Sequence, residues 1–438
     1  MGTHISGHRW QLPVALGAVG VLLCAATACS GATSSSGSSR QFTYWSMWKE
    51  GEPQQKVLAL AVTDFEKQTG IKVKVQWQGR NNLQKLVPAL NTNNVPDLVD
   101  GPYVKLVPAL VATQQSLGLT SAFDTEVDGS TAGKLIPAKY LKTIDIDDAA
   151  GRPWMVPYSI TSDAVWYDAA AHPELRRDPP RTWDEFIALL DRIKKDGRTP
   201  LAADGDVTGY NAAFLSTLIV RNLGPGGLKK VASDRTGKAW LDPAVLDAAK
   251  KVEQLVRGGY LIDGYKASKW PAEQQKWANG KAELMFNGSW LPTESATYAA
   301  KGFAYAAFPF PVTAAGHSSM RADFVGFAVP KKADDAKDAQ RFAAFLLGKK
   351  YQDAMGRQAK VIPVRADAAT SPEMADVKKA LDQADSFHQQ NDGVAFPGYN
   401  EKLFWAKDDE LFFGKISAEE FVHQMQGAQA TYWKDQPQ

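Results

Sequence analysis

The chain has 438 residues, 44% of them hydrophobic and 22% charged, a length that suits two or three domains of ordinary size. Its net charge of +2 is well mixed along the sequence, which excludes a basic stripe for nucleic acid and an acidic interaction tail. The two cysteines, Cys24 and Cys29, both precede residue 30, so the body can hold no disulfide, thiolate zinc site or cysteine nucleophile.

The first element is an address. His4, His8 and Arg9 lead into an apolar or small run from Leu12 to Ala28, the layout of a secretory signal over residues 1–28. As a membrane span the run is short against the roughly 20 residues a bilayer requires. Ala26-Thr27-Ala28-Cys29-Ser30 resembles a bacterial lipobox, with small residues before the cysteine that would carry the lipid. Residues 29–40 are mostly Ser, Gly, Ala and Thr, a flexible tether. The expected product is anchored by Cys29 to the outer face of the cytoplasmic membrane.

Strand and helix signals then alternate. Gln41 to Ser46 reads as a strand, and Pro53 opens a helix in which Leu58, Val62 and Phe65 share a face before Gly70 caps it. Ile71 to Trp77 alternates as a half-buried strand. Leu83, Leu86, Val87 and Leu90 repeat a helical stripe, and Pro96 to Asp100 is a short strand. Thr182 and Glu185 form a capping box ahead of a stripe through Phe186, Leu189, Leu190 and Ile193. One long helix is predicted over residues 334–355. This order implies parallel strand pairing and an α/β fold.

Six segments together resemble the extracellular solute-binding proteins of ABC importers, in their maltodextrin-type branch. They are the Phe42-Thr43-Tyr44-Trp45-Ser46-Met47-Trp48 opening with Phe65-Glu66-Lys67-Gln68-Thr69-Gly70; Val95-Pro96-Asp97-Leu98-Val99; Gly151-Arg152-Pro153-Trp154 through Tyr158; Pro179-Pro180-Arg181-Thr182-Trp183; Trp277-Ala278-Asn279-Gly280 through Trp290; and Gly326-Phe327-Ala328-Val329-Pro330-Lys331. The resemblance implies a periplasmic-binding-protein fold of two α/β lobes, joined by three crossing segments with the ligand between them. It places one lobe at residues 41–158 and 323–361 and the other at 163–320 and 364–438. It also implies a monomer that binds a carbohydrate, delivers it to the transmembrane permease subunits and uses no cofactor, metal or catalytic residue.

Ligands of open α/β sheets sit beyond the carboxyl ends of strands, which directs attention to the loops there. Trp48 and Glu50 follow the first strand, Trp48 reading equally as a sugar platform or as core. Arg80 and Asn81 follow the second strand and Asp100 the third. Tyr158 and Asp163 flank the first crossing, Arg321 and Asp323 the second and Arg365 the third, where an interlobe ion pair is the alternative role. Asp204 lies at a strand end in the second lobe, and Asn287 and Trp290 flank a Gly-Ser pair that would let backbone approach a ligand. Trp183 is assigned to packing, and the aromatics from Phe396 to Phe413 mostly to helical core. His172, His317, His388 and His423 are isolated and read as surface or turn residues. Two other classes remain: an extracellular carbohydrate-active enzyme, whose paired carboxylates 48 acidic residues do not exclude, and a receptor that reports ligand to a membrane sensor.

Overall fold

The computed structural model describes residues 40–92, 94–143 and 146–436; the signal segment, Cys29 and the tether up to residue 39 lie outside them. Two sheets organise the body. The first has six strands in the order Ile362–Pro363, Val156–Thr161, Asp323–Ala328, Leu98–Pro102, Gln41–Ser46, Lys72–Trp77. Gln41–Ser46 runs parallel to both of its neighbours, through helical connections, while Asp323–Ala328 inserts antiparallel between Leu98–Pro102 and Val156–Thr161. The second sheet has the order Tyr305–Phe308, Asp163–Asp168, Leu284–Gly288, Leu201–Ala202, the last two parallel.

Local chemistry explains the elements. Helix Pro53–Thr69 starts with proline at its first position and ends on Gly70 at φ 71°, the left-handed cap that glycine adopts without strain. Phe42 and Tyr44, both turned inward from the first strand, meet Phe342 at 5.9 and 6.0 Å, and Phe65 meets Phe342 edge-on at 5.4 Å. Phe214, Phe286 and Phe310 play the same part in the second sheet, Phe286 and Phe310 lying 4.5 Å apart. Thr182 and Glu185 complete their capping box, and Trp183 is buried with its indole N–H on Gln254, as a packing residue should be.

The expected two-lobed α/β architecture with crossing segments is present. Val156–Thr161 of the first sheet and Asp163–Asp168 of the second are separated by Ser162 alone. A second connection runs from Tyr305–Phe308 to Met320–Arg321 and on to Asp323–Ala328. The third leaves Ile362–Pro363 and reaches Phe387–His388, which pairs with Met320–Arg321.

Three expectations are corrected. The long helix over 334–355 is two helices, Ala336–Phe345 and Lys349–Arg357, because Gly348 takes an extended ψ of 139° between them. The strand containing Tyr158 continues to Thr161, which narrows the crossing. His172 and His388 are buried rather than superficial. His172 sits between Glu174 and Glu283, which raise its pKa against burial, and His388 meets the Ser319 hydroxyl.

Candidate ligand-binding site

The loops beyond the parallel strands of both sheets carry the candidate residues, and Arg80 of the first lobe is near enough to act on Glu294 of the second. From the first lobe, Ser46 passes into Met47 and Trp48, and Trp77 into the turn carrying Arg80. Here Asp100 is fully buried and accepts from the Tyr44 and Tyr158 hydroxyls at 2.8 and 2.9 Å and from the Met47 amide at 2.6 Å. Burial pushes its carboxyl up to about 6 against these donors. Tyr158 in turn receives the Trp48 indole N–H at 2.8 Å, and the Arg80 guanidinium lies over the Trp48 ring at 4.4 Å. Arg80 donates to both oxygens of Glu52 at 3.0 Å and to the Met47 carbonyl at 2.7 Å.

Four expected contacts on this side are therefore corrected. Asp100 and Tyr158 are walled in and hold the loop rather than facing the cleft. Trp48 is 7% exposed with Arg80 across its ring, so it is a bed for that guanidinium and no open platform. Arg365 is buried against Asp128, Asp367 and the Leu347 carbonyl, which engage its guanidinium fully and leave it no open face for a ligand. Glu50 and Asn81 are exposed; the acid that orders Arg80 is Glu52, and the buried amide is Asn82, which donates to the Asp100 carbonyl at 2.7 Å.

The second-lobe wall is richer. Asp204 is 2% exposed and accepts from Gln274 Nε2 at 2.9 Å. Glu294, one helical turn beyond Trp290, approaches the same Gln274 and the Trp270 indole. Burial first, and the Asp204 charge in addition, push Glu294 up to about 7, while the distant Arg80 charge pulls the other way across the cleft. Asp204 is pushed up to about 6, again by burial, with Asp206 and Glu273 adding. Trp270 is 48% exposed, its amide held by Asp206 at 2.9 Å. Trp290 stacks on Tyr210 at 5.7 Å and 29°, with Arg321 5.6 Å from its ring centre. A side chain on Gly288 would strike this indole at 2.2 Å, so the glycine of Asn287-Gly288-Ser289-Trp290 makes room for the ring, not for a ligand. Asn287 is buried beside it with Oδ1 on the Gly288 amide.

Arg321 binds the crossings together. Its guanidinium donates to Asp163 and Asp323 at 2.7 Å each and to Gln390 at 3.3 Å, and the Gln390 amide returns to Asp323 at 2.9 Å. Asp163 and Asp323 thus occupy the ion-pair alternative rather than an open contact.

Acidic groups with raised folded-state pKa values weaken the fold as they ionise. The Glu294 contribution is complete below about pH 4.5 and is lost as pH rises through about 7. Glu294→Gln is expected to leave stability unchanged near pH 4 and to raise it by roughly 2–3 kcal/mol at pH 8, read from urea midpoints.

The family model described as bacterial extracellular solute-binding protein matches residues 49–353. The chain belongs to that family. It is 26% identical over 321 residues to a probable sugar-binding periplasmic protein of Brucella suis biovar 1 (strain 1330), covering 71% of this chain and 74% of that one. Among solved structures it resembles a chitin oligosaccharide binding protein, with TM-score 0.71 and 19% identity over 90% of this chain and 99% of the other. It also resembles the solute-binding protein RafE in complex with raffinose, with TM-score 0.70 and 17% identity over 90% and 99%.

In this solute-binding protein, the expected residues Asp204 and Trp290 stand beside Tyr210, Trp270, Gln274 and Glu294, which the sequence pattern does not single out. One signal was available: Ser268-Lys269-Trp270-Pro271 sets a tryptophan in a polar loop outside any apolar period, where the core has no use for it.

Proposed function

We propose that this protein captures a carbohydrate between its lobes and presents it to the permease of an ABC importer, without altering it chemically. The observation that carries the reading is the second-lobe wall, where the exposed Trp270 ring adjoins the buried polar groups of Asp204, Gln274 and Glu294. A flat apolar face beside fixed acceptors suits a sugar ring, with its C–H face and its rim of hydroxyls. The family membership and the sugar-binding names of the relatives support it. In this reading residues 41–161 and 323–361 form one lobe, 163–320 and 364–436 the other. Ligand closes them by its differential affinity for the closed state.

Isothermal titration against mono- and oligosaccharides tests the reading, with the sugar recovered and analysed afterwards. Binding with unchanged sugar supports capture; consumption of the sugar would point to an enzyme, and silence throughout would remove the carbohydrate reading.

The anchoring is a separate part of the proposal. No helix among the described residues is long and apolar enough to cross a membrane, and Cys29 stands after small residues in a lipobox-like context. Cys29→Ala is expected to bind ligand normally but to move from the membrane fraction to the medium. Retention of that variant in the membrane would refute lipidation at Cys29.

A further inference from the structure

The second-lobe wall holds a corner of unmet acceptors, set apart from two unmet donors, Asn287 Nδ2 and Trp290 Nε1. Asp204 Oδ1, Gln274 Oε1 and Glu294 Oε2 are buried and meet no hydrogen-bond partner among the described residues. Gln274 is itself fully buried, and its amide lies against both carboxyls, donating to Asp204 Oδ2 at 2.9 Å. Asp206 and Glu273 add to the negative field there, Glu273 compensated by Lys276 at 2.8 Å.

The cations within reach are engaged. Arg80 is held by Glu52, with both N–H···O distances at 3.0 Å, and Arg321 by Asp163 and Asp323. Arg80 offsets the Glu294 charge only from across the cleft, as the last of its influences. Buried acceptors left without donors, and carboxylates left without counter-charge, are costly arrangements that an ordered water or a ligand completes. A neutral hydroxyl supplies a single donor and no charge. A primary ammonium supplies three N–H donors and a positive charge at one point.

Resting on the proposal that the cleft binds a sugar, we infer that the preferred ligand is an amino sugar whose free ammonium sits between Asp204 and Glu294, against Gln274. Trp270 then covers the apolar face of the same residue, since its indole reaches Glu294 and its ring is open to solvent.

The test varies a single substituent. The purified protein is titrated at pH 7.5 with gluco- and galacto-configured mono- and disaccharides bearing hydroxyl, N-acetyl or free amino at C2. The expected result is at least tenfold tighter binding of the amino form than of its hydroxyl counterpart. That ratio should fall towards one in Glu294→Gln, with Asp204→Asn as the second variant. Tighter binding of neutral or N-acetylated sugars would overturn the ammonium inference while leaving the sugar cleft standing. An amino preference undiminished in both variants would place the ammonium elsewhere and equally overturn it. Absence of binding in all three series would overturn the inference together with the sugar reading.

Discussion

Arg321→Met is expected to destabilise the protein by roughly 3–5 kcal/mol, the usual cost of removing one partner from a buried charge cluster. Methionine fills much of the volume, so lost packing is a minor part of the effect. What remains is Asp163 and Asp323 facing each other, with Asp323 only 4% exposed and no cation in place. Burial already raises the Asp323 carboxyl against the pull of Arg321, and removal of the guanidinium raises it further. The deficit should therefore shrink as pH falls and Asp323 protonates, and grow towards pH 8. Thermal midpoints at pH 5 and pH 8 check this; equal losses at both would show that the cluster contributes packing alone. Arg321 also spans Asp163 on one crossing and Asp323 on another, so the variant should loosen the relation between lobes and weaken ligand affinity beyond the stability loss.

Trp270→Ala is expected to have the opposite profile. The side chain is 48% exposed and little core depends on it, so the unfolding midpoint should move by no more than about 0.5 kcal/mol. Ligand affinity should nevertheless fall about 30-fold, close to 2 kcal/mol, as for an aromatic anchor at the centre of a contact. Calorimetric titration with unfolding measured in parallel separates the two quantities. An unaltered dissociation constant would remove Trp270 from the site.

Several elements were legible in the sequence because their signals are local. The alternation in Gln41–Ser46, the proline and glycine at the ends of Pro53–Thr69, and the Thr182–Glu185 box each depend on residues a few positions apart. Strand ends were legible for the same reason, which is why Asp204 and Trp290 stand, as expected, just past Leu201–Ala202 and Leu284–Gly288. The direction a loop side chain takes was not. Asp100 and Tyr158 stand at the expected strand positions but turn into one another, because Tyr44, Met47 and Trp48 complete their hydrogen bonds from below. Arg365 found its acids in Asp367, two residues on, and in Asp128, more than two hundred residues away in sequence. Glu294 and Gln274 escaped notice because they acquire meaning only when a strand end, a loop and two short helices converge. The helix break at Gly348 failed for a different reason: an unbroken apolar stripe outvoted a single glycine.

Ser162 joins the two sheets, and its neighbours across the gap are telling. Its carbonyl accepts the Ser289 amide at 2.8 Å, and its own amide reaches the Ser289 hydroxyl at 3.3 Å. Trp290 is the next residue along. The aromatic stack is thus fastened beside the fulcrum, while Arg80 rides on the opposite jaw. Swinging the jaws displaces points in proportion to their distance from the pivot, so the stack keeps its place relative to the axle whether the mouth is wide or shut. In the binding mode proposed above, a ligand arriving at the open protein would meet this inner seat already assembled, and outer groups such as Arg80 would travel to enclose it.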